Sequence, residues 1–350
     1  MTQLDFGRTV YRVGRPERPV LMLDARSVVV CSVLWAATFA LACFAMATGS
    51  AQVTLGEVLQ VLAGAGDDYT NMVVAEWRAP RILLAILLGA CLAISGAIFQ
   101  NLTGNPLGSP DVIGFQTGSF TGALIVMLVL RGGSVETMIA ALIGGMATAL
   151  VVFSLSITRG AVRGVRLIIV GIGVSAMLAS FNVWLMLTAT VEDALMAGLW
   201  GAGSLAGVTW WHVALAGAAA AVFLVAAGLL SRPMRLMRIG APFATALGQR
   251  VRSVQVAAVI VGVALTAIAT ATIGPVSFIA LAAPQIARRL VPSDGLALAP
   301  TAAVGAFLLL LADVVAQRIL PHSPLPVGIV TVCIGGLYFL WLLMREGKTR

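Results

Sequence analysis

Residues 78–114 read RAPRILLAILLGACLAISGAIFQNLTGNPLGSPDVIG. Arg78 and Arg81 flank Pro80, and apolar or small residues follow from Ile82 to Asn101, broken only by Ser95 and Gln100 before the end. About 20 such residues make an α-helix that crosses ~30 Å of hydrocarbon. Pro80 falls in the first turn, where its missing N–H removes no hydrogen bond. The stretch closes on a loop carrying Asn105, Pro106, Pro110 and Gly114. It therefore predicts a spanning helix with a charged mouth at one end and an irregular polar hairpin at the other.

The rest of the chain has the same character. Of 350 residues, 60% are hydrophobic and 10% charged, against about 25% charged in soluble domains. This is the composition of a polytopic, all-α integral membrane protein. The net charge of +8 is scattered between apolar runs rather than gathered in one patch, which argues against nucleic acid as a partner. Lys348 is the sole lysine and no GxxxxGK occurs, so the chain has no phosphate loop with which to hydrolyse ATP. Cys31, Cys43, Cys91 and Cys333 lie in apolar runs without CxxC spacing, and His212 and His322 stand alone. The cysteines read as small buried hydrophobes. No metal site and no catalytic cluster is expected.

Ten apolar segments can be marked, at 28–48, 82–103, 112–130, 137–157, 167–190, 211–230, 254–273, 275–288, 298–317 and 326–343. Basic residues favour the cytoplasmic side of a membrane. With ten crossings and both termini inside, 18 of the 22 basic residues are cytoplasmic, among them Arg8, Arg159, Arg163, Arg166, Arg238, Arg288, Lys348 and Arg350. Only Arg78, Arg81, Arg131 and Arg318 are left outside. Residues 1–27 are then a cytoplasmic N-terminal segment without the marks of a cleavable signal. Residues 28–343 hold the spans, and 344–350 form a cytoplasmic tail.

Two readings stand for Arg78 and Arg81, which share a helix face. They snorkel to lipid headgroups, or they form a docking patch for an acidic partner. Two also stand for the longest inner loop, 231–252, which is partly apolar through Leu236, Ala241 to Leu247 and Val251. It lies on the lipid as an interfacial helix, or it packs against a cytoplasmic partner. Short surface helices are expected at 54–64 and 191–207. Polar neutral residues in and beside the spans commonly bond helix to helix. Gln100, Asn101, Asn105, Gln116 and Asn182 are the candidates among them to line a water-filled path.

Three function classes compete: a permease driven by a separate ATPase, a secondary carrier, and a membrane enzyme. No ionisable residue sits at mid-span to carry protons. A sodium-coupled carrier working through backbone carbonyls is weakened but stays open. An enzyme would need reactive groups that are not visible.

Longer motifs decide between these. They are 76–115 around the stretch quoted above, RLIIVGIGVSAMLASFNVWL (166–185), AGLWGAGSLAGVTW (197–210), ALGQRV (246–251), GPVSFIALAAPQIARRL (274–290) and LPVGIVTVCIGGLYFLWLL (325–343). Through them the chain resembles the FecCD/BtuC-type permeases of bacterial ABC importers for ferric siderophores, haem and cobalamin. The wording of 106–115 and 166–210 is nearest to the ferric-enterobactin members. The resemblance implies a BtuC-like, type II importer fold of ten transmembrane helices in the cytoplasmic (inner) membrane. It implies a second permease subunit, a sister chain rather than a second copy. Two ATPase subunits would carry ATP and Mg, with no cofactor on this chain, and a periplasmic or lipid-anchored siderophore-binding protein would sit above. A catecholate siderophore is the expected cargo, with cobalamin or haem as the alternative. Arg78 and Arg81 would dock the binding protein. Arg238, Ala246, Leu247 and Gly248 would couple to the ATPase. The family often places an arginine four residues after the aspartate of an LLAD motif. Here Gln317 occupies that position after Asp313, and Arg318, the third docking candidate, comes one step, about 100°, later. Gln285 stands where the family has a histidine. The hydroxyl gate of cobalamin permeases has only Gly164-Val165 to match it.

Overall fold

The computed structural model describes residues 10–15, 18–49, 51, 53–158, 161–162, 164–292, 296–320 and 325–346. Arg8, Arg159, Arg163, His322, Lys348 and Arg350 lie outside them. A β-hairpin, β1 (Val10–Arg15) and β2 (Arg18–Asp24), opens the described chain. Asp24 accepts from the Arg26 N–H and so caps α1 (Ala25–Ala47). Next come α2 (Leu55–Leu62) and α3 (Asp68–Asn71). A π-helical turn over Met72–Arg78 joins α3 to α4 (Ala79–Thr103), making one continuous helix of 36 residues. The one-turn α5 (Pro110–Ile113) is followed by α6 (Phe115–Leu124), extended by a second π turn over Ile125–Leu130. Then come α7 (Ser134–Ser156), a small hairpin of β3 (Ile157–Thr158) and β4 (Ala161–Val162), and α8 (Gly164–Thr188). The chain ends with α9 (Val191–Gly201), α10 (Trp210–Met237), α11 (Ala241–Ala246), α12 (Val251–Ile273), α13 (Ile279–Leu290), α14 (Leu298–Ile319) and α15 (Val327–Glu346).

Each of the ten apolar segments meets a helix. Among the described residues seven are long and apolar enough to cross a membrane. Phe115–Leu130, α13 and α15 are the shorter three. The two hairpins are the departures from an all-α chain. The short helix expected at 54–64 is α2, closed by reciprocal bonds between Thr54 and Glu57.

Two segments start later than their hydropathy implies. The segment expected at 112–130 is broken at Gly114, whose φ of 93° is open to glycine at no steric cost. The segment expected at 275–288 is helical only from Ile279. Gly274 (φ 77°), Pro275 and Phe278 (φ 70°) keep the preceding five residues out of helix. In the other direction, α10 runs on through Pro233 to Met237, so the inner loop is shorter than 231–252.

The most deeply buried span contains α4. It packs against α14, α12, α13 and α10, while α6, α7 and α8 form a second group joined to it through α12. Small residues allow the approach. A Cβ on Gly89 would overlap the Gly305 carbonyl, and one on Gly96 the Ala280 carbonyl. The Phe99 ring fills the space beside Gly262, where a Cβ would meet it at 2.7 Å. α4 and α14 are antiparallel, so their opposite ends come together eight residues from the glycine contact, as Arg81 with Asp313. At the periphery α8 presents Ile169, Ile172, Met177, Trp184 and Leu187 outward, an apolar surface suited to lipid or another subunit.

Gly96→Val should therefore block assembly of the bundle, since both atoms in the overlap are backbone. The loss should be well above the 1–3 kcal/mol common for overpacking. Gly217→Ala, where nothing lies within 4 Å of a new Cβ, should melt at or above the parent temperature because it removes a helical glycine. Thermal unfolding of the purified protein compares the two. Equal melting temperatures would contradict the packing described.

Candidate functional site

Polar side chains gather at the two ends of α4. At its start, Arg81 Nε and Nη2 donate to the Asp313 carboxylate, the shortest contacts being 2.9 and 2.8 Å. Asp313 is 1% exposed and Arg81 19%. Gln317, one turn after Asp313, donates from Nε2 at 2.8 Å to Oδ2, the oxygen that Arg81 Nε also bonds. An acid within an apolar helix is thus neutralised by one partner and hydrogen-bonded by the other, as burial demands.

Arg78 and Arg318 turn to the end of α1. Arg78 donates from Nη1 to the Met46 carbonyl and from Nη2 to that of Ala51. Arg318 bonds the Thr48 hydroxyl and the Val314 carbonyl, and lies 4.7 Å from the centre of the Phe44 ring. The last carbonyls of a helix lack partners and carry partial negative charge, and Arg78 satisfies that of Met46. The structure brings all three docking candidates together, each with a partner inside the chain. The one-step offset between Gln317 and Arg318 has a consequence: the glutamine supports Asp313, and the arginine swings to α1.

At the other end of α4 lies a polar cup of about 390 Å³, lined among others by Gln100, Asn101, Asn105, Arg238 and Arg288. Gln100 is its knot. It donates to the Leu281 carbonyl at 3.0 Å and accepts from Gln285 Nε2 (2.9 Å) and Arg288 Nη2 (3.1 Å). Gln285 also donates to the Pro106 carbonyl at 3.0 Å. The residue in the histidine position thus ties α13 to both α4 and the loop after it.

Gln116 and Asn182 lie elsewhere. Gln116 donates to the Val276 carbonyl at 2.8 Å and accepts from Ser277, holding the non-helical 274–278 stretch. Asn182 reaches the Thr117 carbonyl at 3.5 Å, and its Oδ1 is buried without a partner among the described residues. Of the five path candidates, then, three share the cup and two tie α6 to its neighbours.

The loop after α10 forms α11. Ala244 is buried, while Ile239, Phe243, Ala246 and Leu247 are exposed, and Gly248 turns the chain with φ 82°. Gln249 Nε2 donates to the Pro233 carbonyl at 2.8 Å, tying the loop to the end of α10. Arg238 links this loop to the cup. Asp111 has a role that sequence reading missed. Its Oδ2 accepts from the Phe278 N–H at 3.0 Å, which caps the start of α13. The available signal was an acid one residue before a span, followed by a breaking glycine.

The model of the FecCD transport family matches residues 37–345. The chain belongs to the FecCD transport family. Within it, the chain is 43% identical over 331 residues to the ferric enterobactin transport system permease protein FepG of Escherichia coli, covering 95% of this chain and all of that one. It is 35% identical to the Fe(3+) dicitrate transport system permease protein FecD of the same organism, over 78% of this chain and 85% of that one. The siderophore transport system permease YfhA of Bacillus subtilis is 32% identical, over 93% and 97%. Among solved structures, an inward-facing metal-chelate type ABC transporter superposes with a TM-score of 0.78 at 24% identity, covering 91% of this chain and 99% of that one. That likeness shows the fold.

The Arg81–Asp313 pair should respond asymmetrically to truncation. Arg81→Ala leaves a carboxylate that is 1% exposed, a loss of about 3–5 kcal/mol. Asp313→Ala leaves a guanidinium with access to water, at about 1–2 kcal/mol. R81A/D313A should be more stable than R81A alone. Thermal melts of the three variants check the order, and a D313A protein less stable than R81A would refute it.

Proposed function

We propose that this chain is a membrane-spanning subunit of an ATP-driven importer that carries a ferric siderophore, of the catecholate class, inward across the cytoplasmic membrane. The observation that carries this reading is the 43% identity to a ferric enterobactin permease along that protein's whole length. The Arg81 end faces outward and the Gln100 end faces the cytoplasm, where both termini lie; the excess of basic residues on that side supports this orientation. A sister permease covers apolar faces such as that of α8, and lipid covers the rest. ATP and Mg sit on two separate ATPase subunits, and this chain binds no cofactor of its own.

Transport proceeds by alternating access. A siderophore-binding protein docks on the outer surface around Arg78, Arg81 and Arg318. The hydrogen bonds of Arg78 and Arg318 go to neutral acceptors, so the cluster keeps a net positive charge that draws an acidic partner. On the cytoplasmic side the ATPase seats against α11 through Ile239, Phe243 and Leu247. Movement of that loop passes along α10 and through Arg238 to the cup. There the Gln100 knot links α4 to α13, and Asp111 links α13 to α5. The cup, with Gln100, Asn101 and Asn105, is the cytoplasmic mouth.

Radio-iron uptake in cells lacking the gene, with and without its restoration, tests the reading. Uptake of a ferric catecholate should fall by more than tenfold and return with the gene, while ferric hydroxamate and labelled cobalamin uptake stay level. Selective loss of hydroxamate or cobalamin uptake would replace the catecholate assignment. Uptake that persists after dissipation of the sodium gradient but stops on ATP depletion separates this importer from a sodium-coupled carrier.

A further inference from the structure

The three arginines at the Arg81 end do not use their donors alike. A guanidinium carries five N–H groups, set as a side fork through Nε and one Nη and an end fork through the two Nη atoms. Asp313 occupies the side fork of Arg81, through Nε and Nη2. Arg81 Nη1 makes no hydrogen bond among the described residues, so the end fork is open. The accessible part of the pair belongs to the arginine, since Asp313 is 1% exposed against 19%. Asp313 is itself held by Gln317 at 2.8 Å. Arg78 and Arg318, by contrast, engage both of their Nη atoms with groups around the end of α1 and with Val314.

We propose that Asp313 is a positioning residue: it grips Arg81 by one fork so that the other is presented, already oriented, to a carboxylate of the docking protein. This inference rests on the docking reading above and assigns the direct contact within that surface to Arg81. A second carboxylate completes an acid–guanidinium–acid arrangement, both contacts being bidentate. The rotamer freedom that a free surface arginine loses on binding is already lost in the folded subunit. Arg78 and Arg318 offset the charge of the second acid.

The test measures the affinity of the importer's substrate-binding protein for the assembled transporter in lipid nanodiscs, with a melting curve for every variant. Arg81→Lys keeps a cation beside Asp313 but has no second fork, so affinity should fall about tenfold. Asp313→Ala leaves Arg81 in place but unheld, and affinity should again fall about tenfold. R81A/D313A should bind at least as weakly as either. If D313A binds like the parent while R81A/D313A binds weakly, docking on Arg81 stands and the positioning role is overturned. If R81A/D313A also binds like the parent, the docking reading itself fails at Arg81. Should D313A not assemble, R81K decides, since it keeps the ion pair: unchanged affinity would rule out the two-fork arrangement.

Discussion

Midway along α4 and α14, Gly89 and Gly305 bring two backbones into direct contact, and the rest of the bundle is set by that approach. Helices in lipid gain no hydrophobic energy by meeting, so close packing and hydrogen bonds decide which faces join. α4 offers small-residue contact on several sides: Gly89 to α14, Gly96 to α13, and Phe99 against Gly262 of α12. The functional ends follow from the middle. Once the glycines fix register, Arg81 has Asp313 opposite it. Once Gly96 admits α13, Gln100 can reach the Leu281 carbonyl.

The ten helices were legible because length and hydropathy suffice for a span. The family was legible because its longer motifs survive nearly intact. Hydropathy carries no information on φ, however. It could not place the helix starts at Phe115 and Ile279, although Gly114 and the Gly274-Pro275 pair marked the sites. The site was only half legible. Arg78, Arg81 and Arg318 could be set on one side by counting charges, but their partners are groups at and just after the end of α1, the Val314 carbonyl and an acid 232 residues away. No spacing rule connects such groups. Gln116 and Asn182 read in the sequence as polar residues of a span, and only packing shows which neighbouring backbone each one bonds.

The two interrupted helices solve one problem jointly. Backbone that leaves the helix inside a membrane protein needs new partners for its polar groups. Residues 274–278 find them on the other broken segment: Gln116 takes the Val276 carbonyl, and Asp111 takes the Phe278 N–H. Each break is tolerable because the other stands beside it. A movement of α13 is therefore felt at once by α5 and α6.

The grip on α1 has a consequence for how the chain is built. Only 11% of the apolar window of α1 is buried, the smallest share among the long spans of the described residues. Its far end is fixed by Arg78 at the start of α4 and by Arg318 near the end of α14. The second clasp cannot form until α14 has been made. Until then that end of α1 is held by Arg78 alone of the two arginines. The final seating of α1 therefore waits on α14.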